Sequence, residues 1–264
     1  MPPRLRSTLT SLLVSLTVAA NAATQEDLRR VDAALRHAAS PWCGRLAEID
    51  AQGQRRCTVS FESVGPIGAG NAFAVFDMTR ISDELLAVLS EDELAAAMGH
   101  ELAHVVLGHG IFRMRRQIAK APDEGHAMML SLSEQFGIEP HADTPQDLRA
   151  QELDADTLGL VFAGLAGYDV HRGAALWRTA SQRIPGMKSH GATTHPENAR
   201  RHANAAQVAR SFCRAAAASQ PPWPATERLL PRYELSRDEA ARQLDPALLS
   251  RACGKPNPAR MLKG

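Results

Sequence analysis

Two histidines four residues apart, in the string His100-Glu101-Leu102-Ala103-His104, constrain this chain more than any other feature. A helix turns about 100° per residue, so this spacing sets both imidazoles on one face, one turn above the other. Two rings so placed can reach a single zinc ion, and the intervening Glu101 projects beside it, where it can take a proton from a water at the metal. The string lies inside a predicted helix. Ser90 and Glu93 form an S-x-x-E capping box, which starts a helix expected to run to about Gly108. An H-E-x-x-H string arises by chance in roughly two chains in a hundred of this length and composition, so the rest of the sequence must decide.

Catalytic zinc takes three protein ligands and keeps a fourth position for water. A metzincin would supply a glycine at 107 and a histidine at 110, but this chain has Leu107 and Gly110, which excludes that branch. His109 lies nine residues after His100, about 180° around a continuous helix, and is expected to face away as a polar residue at the helix C-terminus. The next long helix offers Glu152 and Asp156, one turn apart in Gln151-Glu152-Leu153-Asp154-Ala155-Asp156. Glu152 is the candidate third ligand, and Asp156 can accept the other ring N–H of a zinc histidine and fix its tautomer. The alternative is a solvated acidic face. The apolar run Leu158-Gly159-Leu160-Val161-Phe162 that follows points to a buried helix and to the ligand reading.

The compartment is read from the first residues. Arg4 and Arg6 precede an uncharged stretch with an apolar heart, Leu12 to Ala20, and the small residues Ala20-Asn21-Ala22. This is the pattern of a secretory signal peptide over 1–22, cleaved before Ala23, and the apolar run is shorter than the ~20 residues that span a bilayer. An uncleaved anchor is the alternative. The mature protein is expected in a bacterial periplasm, with no transmembrane segment after cleavage. Cys43, Cys57, Cys213 and Cys253 all survive the cut. In an oxidising compartment they predict two disulfides, and sequence proximity favours Cys43–Cys57 and Cys213–Cys253. A zinc site built from cysteines competes with this, but no C-x-x-C pair supports it.

Composition excludes other classes. With 264 residues, 44% of them apolar, the chain can bury a substantial core. The 30 Lys+Arg against 29 Asp+Glu leave no cation surplus for phosphates, so nucleic acid is not an expected partner. An amphipathic helix is expected over 25–39. Alternation around the break at Gly65-Pro66, between 58 and 80, suggests a small antiparallel sheet. Further helices are expected at about 145–166, 170–184 and 196–218. Pro221-Pro222-Trp223-Pro224 reads as a rigid linker before a short helix near 236–251. The fold class is α+β, mainly helical, with a small antiparallel sheet beside the histidine helix.

Three motifs together, H-E-L-A-H at 100–104, E-L-D-A-D at 152–156 and Thr194-His195-Pro196, resemble those of the gluzincin zinc metallopeptidases that include HtpX-like proteases and the CAAX prenyl proteases. The soluble periplasmic members are nearest in layout, and the resemblance spans about Asn71 to Arg201. It implies a gluzincin-type core holding one Zn2+ through His100, His104 and Glu152, with Glu101 as general base and Asp156 behind the ligands. It further implies that Asn71, Ala72, Phe73 and Ala74 form an edge strand that pairs with extended substrate, an interior strand being the alternative. His195 would stabilise the oxyanion or cap the fourth metal position, and Arg201 would orient it or hold a carboxylate, a role for which Arg200 competes. A single metallopeptidase domain is expected over 23–264, with a core at about 58–219 and a disulfide-stapled extension at 220–264.

The chain also departs from that family. Membrane-embedded members carry several transmembrane helices, and none is read here. Some relatives append a repeat domain, and no repeat signature is read in the residues given after Arg201. The segment from Arg113 to Ala142, with Pro122, Gly125, Gly137 and Pro140, is a mobile cover or ordinary packing. The expected activity is zinc-dependent endopeptidase action in the cell envelope on extended or misfolded proteins, misfolded outer-membrane proteins among them. The alternative is a zinc-binding periplasmic chaperone or assembly factor for outer-membrane proteins with little proteolysis.

Overall fold

In the computed structural model the described residues are 22–44, 47–49, 51, 53, 55–65, 72–75, 78–109, 144–184, 195–218, 220, 226, 229 and 245–254. Residues 1–21 of the expected signal peptide over 1–22, Asn71, the 113–142 segment and the expected linker at 221–224 lie outside them. Helix α1, Gln25–Ala39, matches the expected amphipathic helix. Thr24 and Asp27 cap it reciprocally, and its apolar side buries Leu28, Val31, Leu35, Ala38 and Ala39. Just before it, the Ala23 backbone N–H donates to the Leu89 carbonyl, 2.9 Å away. A single 3-10 turn, Ser40–Trp42, ends α1 and stacks Trp42 against Phe162, with ring centroids 5.4 Å apart.

Two small sheets follow. Strands β1, Ala47–Ile49, and β2, Arg55–Cys57, pair antiparallel, and Cys43–Cys57 links them to the end of α1. Strands β3, Ser60–Val64, β4, Ala72–Val75, and β5, Met78–Ser82, form a second sheet in the order β3-β5-β4. This sheet is mixed, which corrects the expectation of an antiparallel one. β4 pairs antiparallel with β5, but β3 pairs parallel with it, Ser60 opposite Met78. The reason is connectivity. Only two residues join β4 to β5, so they must form a hairpin, whereas the stretch from 65 to 77 is long enough to carry the chain back to a parallel register.

Helix α2, Asp83–Leu86, is a single turn, and α3, Glu91–Val106, is the histidine helix. The Ser90–Glu93 capping box opens α3 as read from the sequence. Every residue from Glu93 to His104 is buried, so α3 is the central helix of the molecule and not a surface one. Helix α4, Pro145–Leu165, opens on a second box, Thr144 with Asp147, and crosses α3 closely. At the crossing Gly99 faces Gly159: a methyl group on Gly99 would lie 2.4 Å from the Gly159 carbonyl oxygen, and one on Gly159 the same distance from the His100 nitrogen. Only glycines allow backbones this close.

The expected helix over 170–184 is two pieces, α5, Val170–Gly173, and α6, Leu176–Arg183. Helix α7, Asn198–Ala217, starts two residues after the expected Pro196. Helix α8, Pro246–Ala252, covers the end of the expected C-terminal helix, whose earlier part is outside the described residues, and packs on α4 and α7. The second expected disulfide, Cys213–Cys253, joins α7 to the residue after α8. Among the described residues, no helix is long and apolar enough to cross a membrane.

Candidate active site

Helix α3 contributes His100, Glu101 and His104, and α4 contributes Glu152 and Asp156. His195 stands just ahead of α7, and Arg201 sits in that helix's first turn. The glycine crossing sits one residue before His100, and this is what lets a side chain of α4 reach the imidazoles of α3. The two histidine Nε2 atoms are 3.0 Å apart. The Glu152 oxygens lie 3.5 Å from His100 Nε2 and 3.6 Å from His104 Nε2. Donor atoms around a tetrahedral zinc, each about 2.0–2.1 Å from it, stand about 3.3 Å from one another. The residues therefore fit one zinc ion, with the two-histidine, one-glutamate donor set of catalytic sites. Glu101 lies alongside, its Oε1 3.9 Å from His100 Nε2.

Behind this set the side chains interlock. His100 Nδ1 is 2.9 Å from Asp156 Oδ1. Arg201 grips Asp156 with two hydrogen bonds, Nη2 to Oδ1 at 2.7 Å and Nε to Oδ2 at 2.9 Å, the bidentate fork that guanidinium geometry favours. Its Nη2 also lies 3.2 Å from Glu152 Oε2. The guanidinium carbon is 3.3 Å from the centroid of the Trp177 ring, whose plane stands edgewise to His100. Arg201 is buried, whereas Arg200 is exposed, so of the two Arg201 is the one that holds the carboxylates. His195 is different in kind. Its side chain is 46% exposed and its Nδ1 is 3.3 Å from Glu152 Oε2, at the solvent edge of the donor set.

The charges favour a cation at the centre. Burial and the Arg201 charge both depress the His100 pKa, but its bonds to Asp156 and Glu152 and the Asp156 charge outweigh them and hold it at about 9. Burial alone would raise the Glu152 carboxyl, yet the imidazoles of His104, His100 and His195 keep it well below the usual carboxylate range. Asp156 is likewise held low against its burial, chiefly by Arg201. Burial depresses the His104 pKa against the pull of the Glu152 charge, in the direction of the unprotonated ring that a metal needs.

Among the described residues strand β4 is the outer strand of its sheet, bonded to β5 on one side and packed beside α3. Ala72, Phe73 and Ala74 are half-buried there. These three belong to an outer strand among the described residues, and Asn71 lies outside them.

His109 corrects the sequence reading. It is fully buried and its Nδ1 is 2.9 Å from His104 Nδ1. The 180° estimate assumed a continuous helix, but α3 ends at Val106, and Gly108 takes a left-handed φ of 72° that turns the chain back on itself. Gly108 was the signal for this reversal. Trp177 was also missed, and no local pattern marks it, because its role depends on α6 meeting α7.

As a whole the arrangement can bind a divalent cation and place a carboxylate beside it. Against this geometry, the family model described as Peptidase family M48 matches residues 42–209. No curated protein and no solved structure matches the chain.

Proposed function

The chain belongs to peptidase family M48, a family of zinc metallopeptidases, and on that premise we propose that it is an endopeptidase of the cell envelope that hydrolyses extended or misfolded protein substrates. His100, His104 and Glu152 are the metal ligands. Zinc bound there supplies Lewis acidity, acidifying a water and polarising the scissile carbonyl. Glu101 accepts the water's proton and returns it to the departing amine. His195, reaching in from the solvent edge, donates to the developing oxyanion. Asn71 to Ala74 pair with the substrate backbone, which reads extended shape more than side-chain identity. Asp156 accepts from His100 Nδ1–H, and Arg201 holds Asp156 and Glu152 in place.

One observation carries this reading: two imidazoles, Glu152 and Glu101 converge on one buried wall beside the outer strand of a small sheet. Export is supported by the Arg4–Ala22 segment and by the two disulfides, which persist in oxidising compartments. On that reading 1–22 is the export signal and 23–264 one mature domain. The intact Glu101 favours cutting over mere holding, since a holding protein has no use for a base at the metal.

The test is Glu101→Gln. The variant is expected to bind one zinc per chain, as wild type does, while its kcat/KM on an unfolded protein substrate falls by a factor of about 10²–10⁴. Undiminished cleavage by a zinc-loaded variant would remove Glu101 from the mechanism.

A further inference from the structure

We propose that His109 is the positioning residue for His104, accepting the Nδ1–H of that imidazole so that Nε2 stays aimed at the metal. The inference rests on the zinc reading above and extends it beyond the three ligands. His104 Nε2 is the nitrogen that faces His100 and Glu152. It must be free of a proton to bind a cation, so in a neutral ring the proton is on Nδ1, which can then only donate. His109 Nδ1 stands 2.9 Å away, within hydrogen-bond reach. It must therefore be the acceptor, and His109 must carry its own proton on Nε2. His104 is 5% exposed and His109 is fully buried, so bulk water does not compete for this bond.

The two zinc histidines are thus held by different partners. His100 leans on a carboxylate, Asp156, which Arg201 clamps, and His104 leans on a neutral imidazole. Charge balance among the described residues accounts for the difference. A divalent cation and Arg201 together offset Glu101, Glu152 and Asp156, and a second carboxylate behind His104 would leave a buried negative charge without a partner. A neutral acceptor fixes the tautomer without adding charge. The left-handed Gly108 is what makes the contact possible, because a helix continued past Val106 would carry His109 to the far side.

The test combines two variants and a spectrum. In His109→Asn the side-chain amide oxygen can take the place of Nδ1, so zinc affinity is expected to stay within about threefold of wild type. In His109→Leu the volume is kept and the acceptor removed, and zinc affinity is expected to fall by a factor of about 10–100. The visible spectrum of the cobalt-substituted protein should change in His109→Leu and not in His109→Asn. Nitrogen-15 NMR of the zinc-loaded wild type reports the tautomers without any mutation and is expected to show His109 protonated at Nε2. His109 protonated at Nδ1, or a His109→Leu variant with wild-type affinity and spectrum, would overturn the proposal. So would equal losses in folded His109→Asn and His109→Leu. A wild type without a tight zinc site would instead bring down the metal-site reading, and this proposal with it.

Discussion

Asp32 shows what burial does to a carboxylate that is only partly paired. One oxygen lies 3.6 Å from Arg36 and the other, Oδ1, is buried with no hydrogen-bond partner among the described residues. Burial pushes its pKa up to about 6, and Arg36 and Arg56 recover only part of the cost. Because the folded pKa is above the unfolded one, the native state binds more protons between about pH 4 and 6, and stability falls as pH rises through that window. Asp32→Asn should therefore stabilise the protein at pH 7–8 by about 1–3 kcal/mol and leave it unchanged near pH 4, measured by urea unfolding of both proteins. Equal stability at both pH values would show that Asp32 is better solvated than its surroundings indicate. Single residues also mark how far the sequence could be read. His100 and His104 share a face by helical periodicity, and Glu152 and Asp156 stand one turn apart by the same rule, although only the crossing of the two helices brings the pairs together. His109 and Trp177 are not legible, because a left-handed glycine and a contact between two distant helices decide where they point.

Among the elements, the crossing of α3 and α4 governs the site. Intrinsic helix propensity favours Gly159→Ala by about 1 kcal/mol. The structure requires the opposite sign, since the new methyl would press on the backbone of Gly99 and His100. The expected result is a net destabilisation of about 1–3 kcal/mol in the metal-free protein, together with weaker zinc binding as Glu152 is levered away from the imidazoles. Urea unfolding and a zinc competition assay would read the two effects. A stabilised variant would mean that the helices separate without cost. The starts of α3 and α4 are legible from their caps, Ser90 with Glu93 and Pro145 after Thr144, whereas α7 has no side-chain cap and starts two residues past the expected Pro196. The sheet is less legible. β5 carries Thr79, Arg80 and Ser82 among its residues, which mask its place between two strands, and strand direction depends on pairing partners that local alternation does not specify.

Across the whole molecule, the two disulfides bracket a zinc core that contains no cysteine. Cys43–Cys57 closes a short loop next to α1, whereas Cys213–Cys253 spans 40 residues and fastens the C-terminal segment to α7. Nearness in sequence was enough to predict both pairs, because the intervening chain returns close to where it left. Loop-closure entropy makes the longer bridge worth about 4 kcal/mol, and native strain or residual unfolded structure lowers that in practice. The metal ligands lie on α3 and α4, which pack directly on each other, while α7 and α8, the elements this bridge joins, reach that pair through α4 and Arg201. Replacing Cys213 and Cys253 together by serine should lower unfolding stability by about 2–4 kcal/mol and leave zinc affinity within a few-fold of wild type. Comparing urea midpoints with zinc titrations at a temperature where both proteins are folded separates the two quantities. If zinc affinity fell in step with stability, the C-terminal segment would be part of the framework that positions α4, and the site would depend on the compartment's redox state as well as on its own residues.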